Sequence, residues 1–396
     1  MSTDPSTNTT PPPSEALDAA DAALVEEIRQ MPEDESRLTR EQVIAALTPI
    51  TDPDLGRSIV DLGFVQKVRV CGGNVAFDIE LTTPACPVKD QMKAAAHEAV
   101  SALPGVERVA INMTARTRQV TPAAMLPGVK NAIAVASGKG GVGKSTTSVN
   151  LAMALAESGA SVGLMDADLY GPSIPIMLGV PEGEQPYGEE VDGRERIYPL
   201  ERYGVKLMSI GFLTDKNSPV IWRGPMIGKM IQTFLGSVAW GDLDYLIIDL
   251  PPGTGDTQLT LMQSVPLAGA VIVTTPEAVA GEDVLRAGRM FEKMSQNGMN
   301  VPILGVVENM SWYETPEGER IHLFGQGGGQ RAAETFDVPL LGQVPRVLDI
   351  TQGGDSGVPI VVGQSDSPVA STYREIAGGV ARRVATLAME EETNER

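Results

Sequence analysis

Apolar and polar positions alternate in the early part of the chain. In NVAFDIEL (74–81), every second residue from Val75 to Leu81 is large and apolar, and the residues between are small or acidic. This alternation predicts a strand with one buried face. FVQKVRV (64–70) precedes it across the turn CGGN, which predicts a hairpin. With a helix over 88–103 and a strand near 106–112, the pattern indicates a small α+β domain.

From residue 132 onward the pattern changes. Short apolar runs without alternation recur, and helical stretches separate them. Such runs are typical of a parallel sheet covered by helices on both faces, so we predict an α/β domain. The runs are AIAVAS, SVGLMD, VKLMSI, YLIID, AVIVTT and PILGVV.

Domain organisation follows from these patterns. The small domain is assigned to 38–117, where Thr39 and Gln42 have the spacing of a capping box before a short helix. The α/β domain is assigned to 132–385. The remaining segments are predicted as a disordered, proline-rich acidic tail (1–37, although 16–31 would allow a loose helix), a linker (118–131) and a second acidic tail (386–396).

The charge and the cysteine content limit the classes of partner. The 396-residue chain has 51 acidic and 31 basic residues, and its formal charge of −20 disfavours nucleic acid and anionic membranes as partners. No secretory signal and no apolar stretch of membrane-spanning length is evident. Two cysteines argue against a disulfide framework and favour a reducing compartment. We therefore expect a cytoplasmic protein.

A glycine-rich loop lies between the run AIAVAS and a helix-like segment that begins near residue 145. The loop has the form GxxxxGK[ST], and its place between strand and helix predicts a phosphate site. Lys144 is expected to contact the β- and γ-phosphates of ATP, and the Ser145 hydroxyl to ligate Mg²⁺. The residues expected to bind ATP in this loop are Gly138, Lys139, Gly140, Gly141, Val142, Gly143, Lys144, Ser145 and Thr146.

Acidic residues end two of the buried runs. Asp249 ends YLIID, where a carboxylate can hold Mg²⁺ through a water molecule, and the glycines after it predict a mobile loop. Asp166 and Asp168 end another run, and one of them can position the attacking water or the metal shell. For Asp166, a strand-end cap is an equally good interpretation. The predicted catalytic residues are Lys139, Lys144, Asp168 and Asp249.

Five motifs together resemble the Mrp/ApbC family of ATPases, which have a deviant Walker loop and are implicated in carrying iron–sulfur clusters. The motifs are GKGGVGKST, DADLYGPS, WRGPM (222–226), DLPPGTGD and VENMSW (307–312). The resemblance runs from about residue 132 to 385. The segment 38–117, with LTTPACPVKDQM, is similar to the small iron–sulfur assembly domain often fused in front of that ATPase. The resemblance implies a P-loop NTPase with a preceding α+β domain.

The resemblance also implies roles for residues outside the loop's usual set. Lys139 matches a lysine that crosses to the partner subunit's nucleotide in an ATP-sandwich homodimer, which implies slow, dimer-dependent hydrolysis of ATP. A solvated loop lysine is the alternative. Asn309 matches the family's adenine-contacting asparagine, and Arg346 lies where the family forms the other side of the base pocket. A charged surface residue without a role in binding is an equally good interpretation of Arg346.

The sequence departs from the family at the usual cluster ligands. Family members carry CxxC after the asparagine motif, but Thr315 and Gly318 occupy these positions, in a stretch predicted to turn. Cys71 is interpreted as a packing residue. Cys86 matches the reactive cysteine of the small domain. As a single thiolate per chain, it would share a labile cluster across a dimer or with a partner protein. An unliganded thiol is the alternative. The histidines, at positions 97 and 322, lack metal-ligand spacing.

Three functions follow as hypotheses. The first is a homodimeric Mg·ATPase in iron–sulfur cluster assembly or transfer, with iron–sulfur client or assembly proteins as partners. The second is a nucleotide-switched scaffold or chaperone that no longer binds a cluster. The third is a positioning ATPase resembling ParA or MinD, which the acidic C-terminal segment MEEETNER disfavours because such proteins bind membrane or DNA through basic surfaces.

Overall fold

The computed structural model describes most of the chain and divides it into two units, residues 1–116 and residues 117–396. The described residues are 13–53, 55–121, 126–168, 171–191, 194–212, 236–253, 256–277, 284–291, 294, 301–315 and 317–394. The motif WRGPM and Gly255 therefore lie outside the described residues.

The first unit is built around a three-stranded sheet of order β1-β2-β3. Strands β1 and β2 are antiparallel, as the hairpin prediction requires, and β3 is parallel to β2. Its elements are α1 (Pro13–Gln30), α2 (Arg40–Leu47), β1 (Val65–Cys71), β2 (Asn74–Leu81), α3 (Lys89–Ser101) and β3 (Arg108–Ala115).

The start of α2 has the predicted capping box. The Thr39 side chain accepts a hydrogen bond from the Gln42 backbone N–H (3.3 Å), and the Gln42 side chain accepts one from the Thr39 N–H (2.8 Å). These two bonds satisfy backbone donors that a helix start otherwise leaves unpaired. Val43 and Leu47 on the same helix are buried, so the cap fixes the helix where its apolar face meets the core.

The prediction of a disordered tail over 1–37 is wrong for its described part. Helix α1 covers the face of the sheet that alternation predicted to be open, and Ile28 on α1 clusters with Ala76 of β2. Arg29 also donates to the buried carboxylate of Asp78 at 2.6 Å. The small side chains on this face allow a helix to approach closely, which explains why alternation alone misses the second buried face.

The second unit is a mostly parallel sheet flanked by helices. The main sheet has the order β13-β12-β11-β4-β10-β5-β9-β8, with β14 parallel to β12. Strands β8 and β13 are its antiparallel members, and β6 and β7 form a separate hairpin. Through β8 the elements are β4 (Val129–Ala136), α4 (Lys144–Glu157), β5 (Val162–Asp166), α5 (Ile174–Met177), β6 (Tyr187–Val191), β7 (Arg194–Tyr198) and β8 (Leu200–Arg202). The others are β9 (Val205–Ser209), β10 (Leu243–Asp249), α6 (Asp256–Ser264), β11 (Gly269–Thr274), β12 (Ile303–Glu314), β13 (Arg320–Ile321), α7 (Gly328–Phe336), β14 (Leu340–Arg346), α8 (Leu348–Ser356), α9 (Ile360–Gly363) and α10 (Pro368–Asn394).

The central strands are buried along their whole length, as the apolar runs predict. Every residue of β11 is buried, and so are six of the seven residues of β10. Helices α4 and α10 pack against each other beside the sheet. The predicted α/β fold of the P-loop type is thereby confirmed, and it brings the ends of β4, β5 and β10 to one edge.

Two segments that were predicted to be irregular have regular structure or regular hydrogen bonds. In the predicted linker, the Thr121 hydroxyl accepts a hydrogen bond from the Ala132 N–H (2.8 Å) and the Arg118 carbonyl accepts one from Asn131 (2.9 Å), so residues 118–121 lie along β4. Helix α10 extends through most of the predicted tail over 386–396 because its apolar face continues to the buried Ala388. Within the described ranges, no helix combines the length and the apolar composition needed to cross a bilayer.

Candidate nucleotide-binding site

The glycine-rich loop connects β4 to α4, as the motif predicts. Gly141 and Gly143 have φ angles of +79° and +82°, in the left-handed region that disfavours residues with a Cβ. Gly143 is also the last residue before α4, and a Cβ there would lie 2.1 Å from the Asn309 Nδ2. Both glycines are therefore needed for the loop to turn into the helix N-terminus, where backbone N–H groups favour an anion.

The carboxylate of Asp249 binds three side chains of α4. Its Oδ2 is 2.7 Å from the Lys144 ammonium and accepts a hydrogen bond from the Ser145 hydroxyl at 2.6 Å. Its Oδ1 accepts a hydrogen bond from the Ser148 hydroxyl, also at 2.6 Å. Asp249 is fully buried and Lys144 nearly so, which makes this pair an internal countercharge rather than a surface ion pair. The structure thus brings Asp249 together with the loop residues Lys144 and Ser145.

Sequence reasoning missed Ser148. Its hydroxyl is fully buried and reaches both the Asp249 carboxylate and, at 3.1 Å, the Lys144 carbonyl. The signal was its position four residues after Lys144, because residues at this spacing share one face of a helix.

Asp166 and Asp168 have different surroundings. Asp166 pairs in register with Asp249 on the next strand, and its carboxylate accepts hydrogen bonds from the Ser209 hydroxyl (3.1 Å) and the Ile174 N–H (3.3 Å). Burial, followed by the nearby Asp249 charge, raises the pKa of Asp166 to about 7. These contacts support the cap interpretation for Asp166.

Asp168 faces the lysine of the loop. Its Oδ2 lies 4.0 Å from the Lys144 Nζ, and its side chain is mostly buried. Asp168 is therefore the acidic residue of this segment that the structure brings to the predicted catalytic group. The carboxylates of Asp168 and Asp249 both lie within 4.0 Å of the Lys144 ammonium, so one lysine faces two acidic side chains.

Lys139 lies at the outer side of the loop. Its ammonium is 3.6 Å from the Glu277 carboxylate, and each side chain is about one-third exposed. The Ser137 hydroxyl donates to the Lys139 carbonyl at 3.0 Å, which fixes the loop backbone at this residue. The two loop lysines thus differ in surroundings, since Lys144 is buried and Lys139 is partly exposed.

Asn309 and Arg346 line one cavity beside the loop. The cavity has a volume of about 400 Å³, and Gly143 and Thr146 lie on its loop side. Asn309 is buried on β12 and donates to the Val142 carbonyl at 2.8 Å. The structure therefore brings together the two residues predicted for the base pocket, next to the phosphate loop.

The oxygen ligands of the site suit Mg²⁺. The Ser145 hydroxyl and the Asp249 carboxylate are the kinds of ligand that a hard divalent cation prefers, and they already lie within hydrogen-bond distance of each other. In the described parts of the chain, this site included, no group of three His, Cys, Asp or Glu side chains is arranged to hold a metal.

The cysteines belong to the first unit, and the position of the missing CxxC follows β12 in the second. Cys71 is buried and its Sγ is 3.5 Å from the Ile28 carbonyl, in agreement with a packing role. Cys86 is half-buried before α3 in the first unit. At the position of CxxC, Thr315 accepts a hydrogen bond from the Gly318 N–H (2.9 Å), so a turn is present as predicted.

Comparison with known proteins identifies the family. The family model described as NUBPL iron-transfer P-loop NTPase matches residues 128–381. The chain belongs to the NUBPL iron-transfer P-loop NTPase family. A second model, described as iron-sulfur cluster assembly protein, matches residues 40–112. The resemblance predicted from the five motifs and from the small domain is thereby confirmed.

Individual relatives of this NUBPL-type chain agree with the assignment. An iron-sulfur cluster carrier protein of Synechocystis is 48% identical over 89% of this chain and 99% of its own length. The Fe-S cluster assembly factor HCF101 of Arabidopsis thaliana is 43% identical over 94% of this chain and 69% of its own length. A nucleotide-binding protein from Archaeoglobus fulgidus, solved in complex with ADP, is 40% identical with a TM-score of 0.52, covering 62% of this chain and 92% of that one.

Proposed function

We propose that the protein is an ATP-hydrolysing carrier or assembly factor for iron–sulfur clusters that acts as an ATP-sandwich homodimer. The observation that carries this proposal is the contact of Asp249 with Lys144 and Ser145, in a chain 48% identical to a protein named iron-sulfur cluster carrier. The family assignment supports nucleotide hydrolysis in general, and the slow, dimer-dependent rate is our inference from Lys139.

The site binds the phosphates of ATP through the loop. Backbone N–H groups of residues 138–146 and the Lys144 ammonium contact the phosphate oxygens. The Lys144 ammonium lies 2.7 Å from the Asp249 carboxylate, so the lysine that contacts the phosphates is held at the site by a buried countercharge. Ser145 would hold Mg²⁺ directly and Asp249 through a water molecule. When bound, Mg²⁺ supplies neutralising charge to the phosphates.

Hydrolysis needs a positioned water and a second cation. Asp168 orients the attacking water, and the 4.0 Å distance between its carboxylate and the Lys144 ammonium supports this role. Lys139 contributes its charge to the nucleotide of the partner subunit, where it stabilises the transition state. A site completed only by dimerisation turns over slowly when subunits are apart. Asn309 and Arg346 contact the base from the cavity that they share.

The cluster is the cargo, and Cys86 is its proposed ligand. The chain has two cysteines, and Cys71 is buried in the core of the first unit, which leaves Cys86 as the thiol able to reach a cluster. A cluster held by one thiolate per chain takes its other ligands from a second chain, a small thiol or an iron–sulfur client protein. Such incomplete ligation makes the cluster labile, which suits transfer.

One observation favours a second candidate function. Residues 117–396 contain no cysteine, so the ATPase unit supplies no thiolate ligand. The chain would then be a nucleotide-switched scaffold or chaperone for cluster assembly that binds no cluster itself. The family and the ATP site are common to both functions, and iron content distinguishes them.

Anaerobic reconstitution tests the cargo. The full-length protein is incubated with iron and sulfide, desalted, and measured for iron, sulfide and visible absorbance. We expect stoichiometric iron in the wild type, loss of the absorbance in Cys86→Ser, and retention in the matched control Cys71→Ser. ATP hydrolysis is expected to be unchanged in Cys86→Ser, because Cys86 lies outside the ATPase unit.

Two results would decide against parts of this proposal. Stoichiometric iron and sulfide in Cys86→Ser would show that Cys86 is not the ligand. A wild-type protein that binds none under strictly anaerobic conditions would favour the scaffold function.

A further inference from the structure

Lys139 is held inside its own subunit by one acidic residue. Strand β11 lies next to β4 in the sheet, so the residues that follow each strand lie side by side at one edge. Glu277 follows β11, and the loop containing Lys139 follows β4. Their side chains meet there, with 3.6 Å between the Lys139 Nζ and the Glu277 Oε2.

The Glu277 oxygen depends on Lys139 for its countercharge. Glu277 Oε2 is buried and accepts no hydrogen bond within the described part of the chain. A buried carboxylate oxygen without a donor is unfavourable, and a nearby ammonium offsets part of that cost. The pair therefore favours the conformation in which Lys139 stays with its own subunit.

We propose that Glu277 acts as a latch, meaning that its ion pair holds Lys139 in its own subunit and opposes dimerisation until nucleotide binding makes dimerisation favourable. The inference rests on the proposed function, in which Lys139 leaves its own subunit to reach the partner's nucleotide. Lys139 cannot be near Glu277 of its own chain and at the other subunit's phosphates at the same time. Each dimer that forms therefore breaks two Lys139–Glu277 pairs.

The size of the effect follows from the exposure of the pair. Partly exposed ion pairs bias a conformation by about twofold to fivefold. Because a symmetric dimer releases two pairs, the effect on the dimer dissociation constant is the square, about 4- to 25-fold. Glu277 thus acts as a positioning residue on dimerisation, and the rate of a fully dimeric sample should be insensitive to it.

The test is a double-mutant cycle on the full-length protein. Dimer dissociation constants are measured by sedimentation with a non-hydrolysable ATP analogue and Mg²⁺ for wild type, Glu277→Gln, Lys139→Ala and the double variant. We expect Glu277→Gln to tighten the wild-type dimer by about 4- to 25-fold and to have no effect in the Lys139→Ala background. The ATPase rate per site at saturating protein should stay unchanged in Glu277→Gln.

Controls separate the latch from other causes. Glu201→Gln removes the same charge from the exposed strand β8 and should leave the dimer unchanged, which excludes reduced repulsion between two acidic chains. Glu277→Ala serves as a second variant if the amide perturbs folding, as checked by thermal unfolding. An equal effect of Glu277→Gln with and without Lys139, or a weaker dimer in both Glu277 variants, would overturn the latch. Wild-type hydrolysis in Lys139→Ala would instead overturn the trans role of the lysine.

Discussion

Removing the Ser148 hydroxyl tests the network around Asp249. In Ser148→Ala, the Asp249 Oδ1 loses the donor that lies 2.6 Å away and remains buried. A hydrogen bond to a charged group contributes about 1.5–3 kcal/mol, so we expect the free energy of unfolding, measured without nucleotide, to fall by about 1.5–3 kcal/mol. Because Ser148 also orients the carboxylate proposed to hold Mg²⁺, affinity for Mg·ATP should fall by about tenfold or more.

Urea denaturation followed by circular dichroism measures the stability, and calorimetric titration measures Mg·ATP binding. Ser158→Ala is the matched control, because Ser158 lies at the other end of α4 and donates to the Leu155 carbonyl rather than to the site. We expect the control to change stability by less than about 0.5 kcal/mol. If Ser148→Ala matched the control in both measurements, the hydroxyl would not support Asp249.

Three further substitutions test other parts of the structure. Gly143→Ala should abolish nucleotide binding in an equilibrium binding assay while the protein stays folded, because the added Cβ would lie 2.1 Å from the Asn309 amide; retained affinity would contradict this geometry. Ionising Asp166, whose pKa is raised to about 7 by burial and by Asp249, costs stability as pH rises. Asp166→Asn should therefore gain about 2 kcal/mol relative to wild type between about pH 5 and pH 8 without Mg²⁺, and a pH-independent difference would refute the shift. Ile28→Ala should destabilise the first unit by about 2–5 kcal/mol in chemical denaturation, whereas a disordered N-terminal segment would show no change.

The sequence predicted the α/β fold and the position of the glycine-rich loop between a strand and a helix, because both depend on local patterns. Buried parallel strands are continuous apolar runs, and the loop motif fixes Lys144 and Ser145 next to a helix start. The meeting of Asp249 with the loop followed from topology, since neighbouring parallel strands end at one edge.

What the sequence did not predict depends on side-chain packing between distant segments. Helix α1 has few large apolar residues, and its order comes from small residues on the facing strands and from the Arg29–Asp78 pair, 49 positions apart. Likewise, the contact of Lys139 with Glu277 joins two loops on neighbouring strands, and neither loop has a motif that includes the other residue. Such contacts need the register of the sheet, which periodicity does not give.

Mixing two inactive variants tests the central claim, a site completed by the partner's Lys139. Lys139→Ala chains retain Lys144, and Lys144→Ala chains retain Lys139. In a mixed dimer, the Lys139→Ala subunit keeps its own Lys144 and receives Lys139 from its partner, so one of its two sites is intact. We predict that neither variant alone hydrolyses ATP appreciably and that an equal mixture recovers about a quarter of the wild-type rate, since half of the dimers are mixed. A mixture no more active than its parents would contradict the account, because a lysine acting within its own subunit cannot be supplied by a partner.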